Sequence, residues 1–374
     1  MHRSATGDIR YGIVGTGLMG LEHLRNLQAL PGATVVAVAD PHPPSLEAAR
    51  LAAGTDHPLE AFGDHRSMLE WGGCDAVVVA SPNMTHADVL LDVLAHDVAV
   101  LVEKPLCTTV ADCRAVAAAA DGHRRAVAVG LEYRHMPPVA RLVDAVARHE
   151  LGRVRMVALR EHRYPFLEKV GDWNRFNRNT GGTLVEKCCH FFDLMNVLVG
   201  ERPVQVMASG AQDVNHLDER YGGERPDIFD NAFAIVDYPG GARASLDLCM
   251  FADASANQEE LSVVGDLGKA EAFLPSSVFR LGRRADGPGG VAEEVVHDER
   301  VRHEGFHHGA SYVEHLLFLE AVRAGLDDDH GAGLAGGGGV SLDDGLWSVA
   351  MGVAAQIAIA ERRVVAMDEV LDAG

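Results

Sequence analysis

The segment GTGLMG at 15–20 ends a β-branched run, IRYGIVG at 9–15, and opens a stretch of helical spacing, LMGLEHLRNLQAL at 18–30. In that setting the glycines suit a phosphate ligand. Gly15 permits a tight turn, Gly17 lets the backbone approach a pyrophosphate, and Gly20 permits close helix-to-strand packing. The N–H groups at the helix start, at Leu18 and Met19, and the partial positive charge there face the anion. Asp40 follows twenty residues after Gly20, at the end of TVVAVAD at 34–40. A carboxylate placed there accepts hydrogen bonds from a ribose 2′-hydroxyl. The PHPP that follows offers no Arg or Lys for a 2′-phosphate, so the pattern points to NAD rather than NADP.

Two other clusters could do chemistry. His303, His307 and His308 fall within HEGFHHGASY, and histidine is the commonest metal ligand. Gly305 and Gly309 interrupt the spacing, however, and HHGASYVEHL reads more simply as a helix start with Ser311 at its N-cap. No metal is expected. The six cysteines, Cys74, Cys107, Cys113, Cys188, Cys189 and Cys249, show neither CxxC spacing nor a disulfide framework. Cys188 and Cys189 read as small packing residues, and a reducing, cytoplasmic setting fits.

The elements that must position these residues alternate along the first 130 positions. Apolar β-branched runs, continuing with DAVVVAS at 75–81 and VAVLVE at 98–103, are separated by amphipathic segments such as THADVLLDVLAHD at 85–97. That order implies βαβ units and a parallel sheet. Beyond 130, RVRMVALREHRY at 153–164, DNAFAIVDY at 230–238 and ARASLDLCMF at 242–251 follow with few helices between, and YPGGA at 238–242 is a hairpin signal. The fold class is therefore α/β. A dinucleotide-binding Rossmann domain over 1–130 precedes an α/β domain over 131–374 with a mostly antiparallel sheet and helices on one face. CCHFFDLMNVLVG forms a helix that stops at Gly200, and the glycine-dense stretch 327–339 reads as a linker.

Length and composition agree with two folded domains, since 374 residues with 47% hydrophobic and 23% charged positions suit a globular protein. A net charge of −21 argues against nucleic acid or an anionic membrane as partner. No apolar run reaches membrane-spanning length, and MHRSATGDIR carries no signal-like apolar stretch.

Three further segments, SPNMTHADV at 81–89, EKPLCTT at 103–109 and GGTLVEKCCHFFDLM at 181–195, give the chain its family resemblance. In order and spacing it resembles the glucose-fructose oxidoreductase / inositol dehydrogenase / rhizopine catabolism family of NAD(P)-dependent oxidoreductases. The resemblance implies a Rossmann domain followed by a large open antiparallel sheet that makes a homodimer or homotetramer. It also implies oxidation or reduction of a secondary hydroxyl on a sugar, inositol or related polyol. Lys104 then matches the lysine of the Glu-Lys-Pro motif, Glu103 lies against the nicotinamide ribose, and Pro105 rigidifies the turn. Ser81, Pro82, Asn83 and His86 match a cofactor-contacting loop. His190 matches the histidine of an Asp-x-x-x-His pair in which Glu186 stands at the acid position.

Alcohol oxidation by NAD moves a hydride to the nicotinamide while the hydroxyl proton leaves to a positioned base. His190 suits that base, and Lys104 would polarise the oxygen. The reverse assignment, with Lys104 accepting the proton, remains open. On one helix, Glu186 and His190 share a face and can meet over the site. Arg163, Trp173 and Asn174 are further candidates for substrate contact, and the resemblance brings His308 near. Asp193 more simply orients its helix. With no Arg and Lys cluster near His190, a neutral polyol, sugar or glycoside fits better than a phosphorylated one. The alternatives are a ketosugar reductase and a dinucleotide-binding sensor without turnover; retention of both Lys104 and His190 argues against the sensor.

Overall fold

In the computed structural model, residues 7–54, 59–327 and 339–372 are described. Six short strands form the first sheet: β1 (Ile9–Val14), β2 (Ala33–Ala39), β3 (Glu60–Phe62), β4 (Ala76–Val79), β5 (Ala99–Glu103) and β6 (Val127–Gly130). Their order is β3-β2-β1-β4-β5-β6, with every neighbour parallel. β4 and β5 are buried along their whole length, as strands covered by helices on both faces must be. The strand order reverses between β1 and β4, and such a switch point opens a crevice at the carboxyl ends of the strands.

A second sheet comprises β7 (Val154–His162), β8 (Gln205–Ala211), β9 (Asn231–Asp237), β10 (Arg243–Cys249), β11 (Glu259–Gly265), β12 (Gly268–Leu274), β13 (Val278–Arg283), β14 (Val291–Val295) and β15 (Val365–Ala366). The order is β14-β13-β12-β11-β7-β10-β9-β8-β15, antiparallel except where β10 runs parallel to β7. The YPGGA hairpin joins β9 to β10, with the Tyr238 N–H donating to Ala242 O at 3.1 Å. Burial alternates along β9 to β12, the mark of a half-covered sheet. The helices Cys189–Val199 and Leu342–Glu361 pack on the buried face. Met156, Phe233 and Ile235 are exposed on the other.

The helix Ala310–Asp327 returns to the first sheet, where Tyr312, Phe318, Leu319 and Val322 complete a core with Ile9, Tyr11, Leu24 and Leu27. Its first hydrogen bond runs from the Val313 N–H to Gly309 O, so Gly309, at φ 84°, precedes the helix and Ser311 lies inside it. Ser311 is therefore not the N-cap that the sequence suggested. The helix at 189–199 stops at Gly200 in the left-handed conformation, as expected. Positions 328–338 of the expected linker lie outside the described residues. Among the described residues all six cysteines are free, and no helix is long and apolar enough to cross a membrane.

Candidate active site

A cavity of about 440 Å³ follows the carboxyl ends of the first sheet. One end is lined by Gly15, Gly17, Leu18, Met19 and Asp40, and the other by Lys104, Glu168, Lys169, Trp173 and Glu186. Gly15 has φ 87°, and a Cβ there would meet Ala80 O and Ser81 N at 2.6 Å. A Cβ on Gly20 would sit 1.9 Å from Gly15 O, so only glycine lets the helix approach the turn. Gly17 has no atom within 4 Å of such a Cβ and leaves the backbone open to a ligand. The helix Leu18–Ala29 has no side-chain cap, and its first backbone bond is from Leu21 N–H to Gly17 O. The N–H groups of Leu18, Met19 and Gly20 thus have no helical acceptor.

Asp40 accepts from the Thr16 N–H at 2.7 Å and the Thr16 hydroxyl at 3.1 Å on one oxygen, and from the His42 N–H at 2.8 Å on the other. These bonds fix the carboxylate at the cavity wall and leave it acceptor capacity for a hydroxyl. Asp64, His42 and His65 line the same end, where no Lys or Arg is found among the described residues. Ser81, Pro82 and Asn83 also line the cavity, and the buried Asn83 Nδ2 has no hydrogen-bond partner among the described residues. Free N–H groups, an open glycine and a fixed acid together fit the pyrophosphate and ribose of NAD.

His86 has a different part. It is buried, with Nδ1 2.9 Å from Pro105 O and Nε2 3.0 Å from Ser81 O, and it does not line the cavity. Its side chain ties the loop after β4 to the turn after β5 instead of meeting the cofactor directly.

At the end of β5, Glu103 accepts from the Lys104 N–H at 3.0 Å and lies 2.9 Å from His23 Nε2. Burial raises its carboxyl, but the hydrogen bond and charge of His23, with Lys104 and His307, outweigh it and hold the group down at about 2. Lys104 donates from Nζ to Glu186 O at 3.2 Å. Burial opposes its charge, yet Cys189, Glu103, Glu186 and Glu132 together raise its pKa, so it stays a cation.

The segment carrying Glu186 and His190 is two helices, Thr183–Glu186 and Cys189–Val199, joined where the Cys188 N–H reaches back five residues to Thr183 O at 3.3 Å. The two side chains consequently do not meet: among the described residues no hydrogen bond or ion pair joins them. Glu186 faces the cavity with Oε2 unpartnered, and burial raises its carboxyl against Lys104 and Lys169. His190 is 1% exposed, does not line the cavity, and stacks on Tyr133 with ring centroids 3.9 Å apart. Burial, then the charges of Lys104 and Lys187, push its pKa well below the ordinary value, so it is neutral. Asp193 pairs with Arg134 and thereby anchors its helix, as its sequence position suggested.

Of the remaining candidates, Trp173 lines the cavity; Arg163, Asn174 and His308 do not. Asn174 is spent inside its own loop, donating to Leu167 O and accepting from Arg175. Arg163 lies against Tyr164 and 3.5 Å from Glu161. His307, not His308, reaches the buried cluster, with Nδ1 3.1 Å from Glu132 Oε1. Among the described residues no group of three or more His, Cys, Asp or Glu could hold a metal ion.

Several members of the site were not foreseen from the sequence. Lys187 donates to the Tyr133 hydroxyl at 2.5 Å and lies 2.8 Å from Glu161, bracing the ring under His190. Glu132 is buried beside it, and Glu168 and Lys169 line the cavity. A signal existed for two of them, because a charge embedded in LVEKCCHFF or VGLEY must be paired if buried.

Comparison with known proteins agrees with this arrangement. Residues 9–131 match an oxidoreductase family with an NAD-binding Rossmann fold, and residues 143–367 match the C-terminal alpha/beta domain of the same family. The myo-inositol 2-dehydrogenase of Thermotoga maritima is 25% identical over 366 residues, covering 97% of this chain and 100% of its own. An inositol 2-dehydrogenase of Acidiphilium cryptum is 29% identical over 72% of this chain and 75% of its own length. The rhizopine catabolism protein MocA of Rhizobium meliloti is 31% identical, over 52% of this chain and 58% of that protein. Among solved structures, a levoglucosan dehydrogenase in complex with NADH and levoglucosan superposes with a TM-score of 0.82 over 96% of this chain and 99% of its own, at 18% identity. With both halves matched and the nucleotide cavity in place, the chain belongs to the glucose-fructose oxidoreductase / inositol dehydrogenase / MocA family of NAD-binding oxidoreductases.

Proposed function

We propose that this protein is an NAD-dependent dehydrogenase that oxidises one secondary hydroxyl of a neutral cyclic polyol, sugar or glycoside. The observation that carries this reading is the continuity of one cavity from the glycine turn and Asp40 to Lys104, Glu186 and Trp173. NAD, when bound, supplies the hydride acceptor. Lys104, a cation at the cavity wall, donates to the substrate oxygen in place of Glu186 O and stabilises alkoxide character as it develops. His190 is assigned the hydroxyl proton, which requires the bound substrate to bring its hydroxyl to an imidazole that here lies buried outside the cavity lining. A neutral imidazole beside a persistent cation supports that division of roles over the reverse one. Glu186, with an unpartnered oxygen, accepts from a neighbouring hydroxyl.

The far end of the cavity carries Lys104 and Lys169 against Glu168 and Glu186, a balance that suits hydroxyls better than phosphate. A panel of inositols, aldoses, anhydrosugars and glycosides with NAD is expected to yield NADH from at least one neutral member. Deoxy analogues at recognised positions should lose orders of magnitude in kcat/KM, because they leave buried polar groups unpaired. A sugar phosphate with higher kcat/KM than every neutral polyol would remove the substrate assignment. No turnover on any member would favour a sensor.

The same reading assigns the exposed sheet face to a homodimer or homotetramer. Met156 is 59% exposed, Phe233 64% and Ile235 45%, an apolar patch flanked by the Arg160 pairs with Asp247 and Glu260. Light scattering should give a multiple of the 40.0 kDa chain mass, and Phe233→Asp should shift it toward the monomer. A monomeric parent protein would exclude the assignment.

A further inference from the structure

A base with 1% exposure has no direct way to return its proton to water, and two neighbouring groups, Glu132 and His307, bear on that difficulty. Among the described residues His190 Nδ1 has no hydrogen-bond partner, and Glu132 Oε2 lies 3.9 Å from it. Glu132 is 2% exposed, and among the described residues neither of its oxygens makes a hydrogen bond. Its Oε1 is 3.1 Å from His307 Nδ1, and the His307 side chain is 20% exposed. Unpartnered buried polar atoms are costly, and those of His190 and Glu132 lead to His307, whose Nδ1 also lies 3.3 Å from the Ser311 hydroxyl and whose side chain reaches the surface.

Resting on the reading of His190 as base, we propose that Glu132 and His307 form a proton relay that carries the substrate hydroxyl proton from His190 to solvent. Oxidation of the hydroxyl breaks its C–H and O–H bonds and forms the C=O bond. The hydride goes to the nicotinamide and the proton to His190 Nε2. The imidazolium passes its Nδ1 proton to one Glu132 oxygen as the other oxygen gives a proton to His307 Nδ1. His307 then releases a proton from Nε2 to water, so one H⁺ leaves for each NADH formed. The gap of 3.9 Å closes by a small movement of either side chain or by one bridging water.

The surroundings set the resting protonation. Glu132 faces Glu103 and Lys104 from the end of β5, Lys187 from the junction between the helices Thr183–Glu186 and Cys189–Val199, His190 from the second of them, His307 from the turn at 305–307, and Glu314 from the helix Ala310–Asp327. Burial and the ionised Glu103 push its carboxyl up to about 8, against Lys104 and Lys187. Burial, then the charge of Lys187, pushes His307 down to about 3. At neutral pH Glu132 therefore rests protonated between two neutral imidazoles, each carrying a single N–H.

The test uses the full chain, NAD and the neutral polyol it oxidises best. His307→Ala and Glu132→Gln are each expected to lower kcat about 10- to 100-fold, with KM for the polyol and NAD affinity within about twofold. The solvent deuterium isotope effect on kcat should rise in both variants. Added imidazole should restore His307→Ala saturably, a response that a purely structural defect does not give, and Glu132→Asp should recover part of the loss. If Glu132→Gln does not fold, the imidazole response of His307→Ala decides. Wild-type kcat and isotope effect in both variants, while His190→Ala is dead, would overturn the relay and leave the base standing. A loss without imidazole rescue or isotope effect would also overturn it. Normal turnover in His190→Ala, or none by the parent on any polyol, removes the underlying reading and the relay with it.

Discussion

Lys104→Ala and His190→Ala are each expected to lower kcat by about two to four orders of magnitude while leaving NAD affinity within about threefold. The two changes act at different points. Lys104 lines the cavity and, as a cation, meets the oxygen on which charge develops; its loss removes stabilisation made mainly in the transition state, so kcat and kcat/KM fall together. His190 is neutral and outside the cavity wall, so its loss deprives the reaction of a proton acceptor without altering the lining that holds substrate. KM should therefore change less for His190→Ala than for Lys104→Ala. Among the described residues no hydrogen bond or ion pair joins either side chain to the glycine turn or Asp40, and cofactor binding is therefore expected to be spared. Steady-state NADH formation and a fluorescence titration with NAD measure both quantities. Near-normal turnover in either variant would strip that residue of its role.

The nucleotide half of the site was legible because its requirements are backbone requirements. Gly15 and Gly20 stand where a Cβ would strike main-chain atoms, and a sequence shows a glycine directly. Asp40 was readable for a related reason, since it ends a strand whose β-branched run marks its own length. The substrate half depends on which way side chains turn, and spacing speaks to that poorly. Asn174 and Arg163 have the chemistry of a polyol site, but one is spent on Leu167 and Arg175 and the other lies beside Glu161. The i,i+4 relation of Glu186 to His190 assumed one unbroken helix, which the five-residue bond at Cys188 interrupts.

The residues the sequence did not disclose are mostly charges from distant segments that meet only after folding. Glu132, Lys187 and His307 come from three separate segments, and although each stretch hints at a buried or reactive group, nothing in the spacing joins them to one another. β11 to β14 were similarly obscure, because strands such as EELSVVG and GKAEAFL mix charged and apolar residues on a sheet covered on only one side.

NAD is expected to bind about 100-fold more tightly than NADP, with Asp40 as the main cause. A 2′-phosphate would enter beside the Asp40 carboxylate, with Asp64 on the same wall and no Lys or Arg at that end among the described residues. Two unit charges about 4 Å apart repel by about 4 kcal/mol at an effective dielectric near 20, and screening in a cavity open to water leaves roughly 2–3 kcal/mol. Relief by a shift of Asp40 is hindered, because its oxygens hold the Thr16 and His42 N–H groups at 2.7 and 2.8 Å. Those bonds also shape the variants. Asp40→Ala removes the repulsion but leaves the Thr16 donors unpaired, so NAD binding should fall about tenfold while NADP gains relative to it. Asp40→Asn keeps an acceptor and loses the charge, and should preserve more NAD affinity with a similar gain for NADP. Titration of the parent protein and both variants with each nucleotide gives the ratio directly. Tighter binding of NADP than of NAD by the parent, or an unchanged ratio in both variants, would show that Asp40 does not set the cofactor preference.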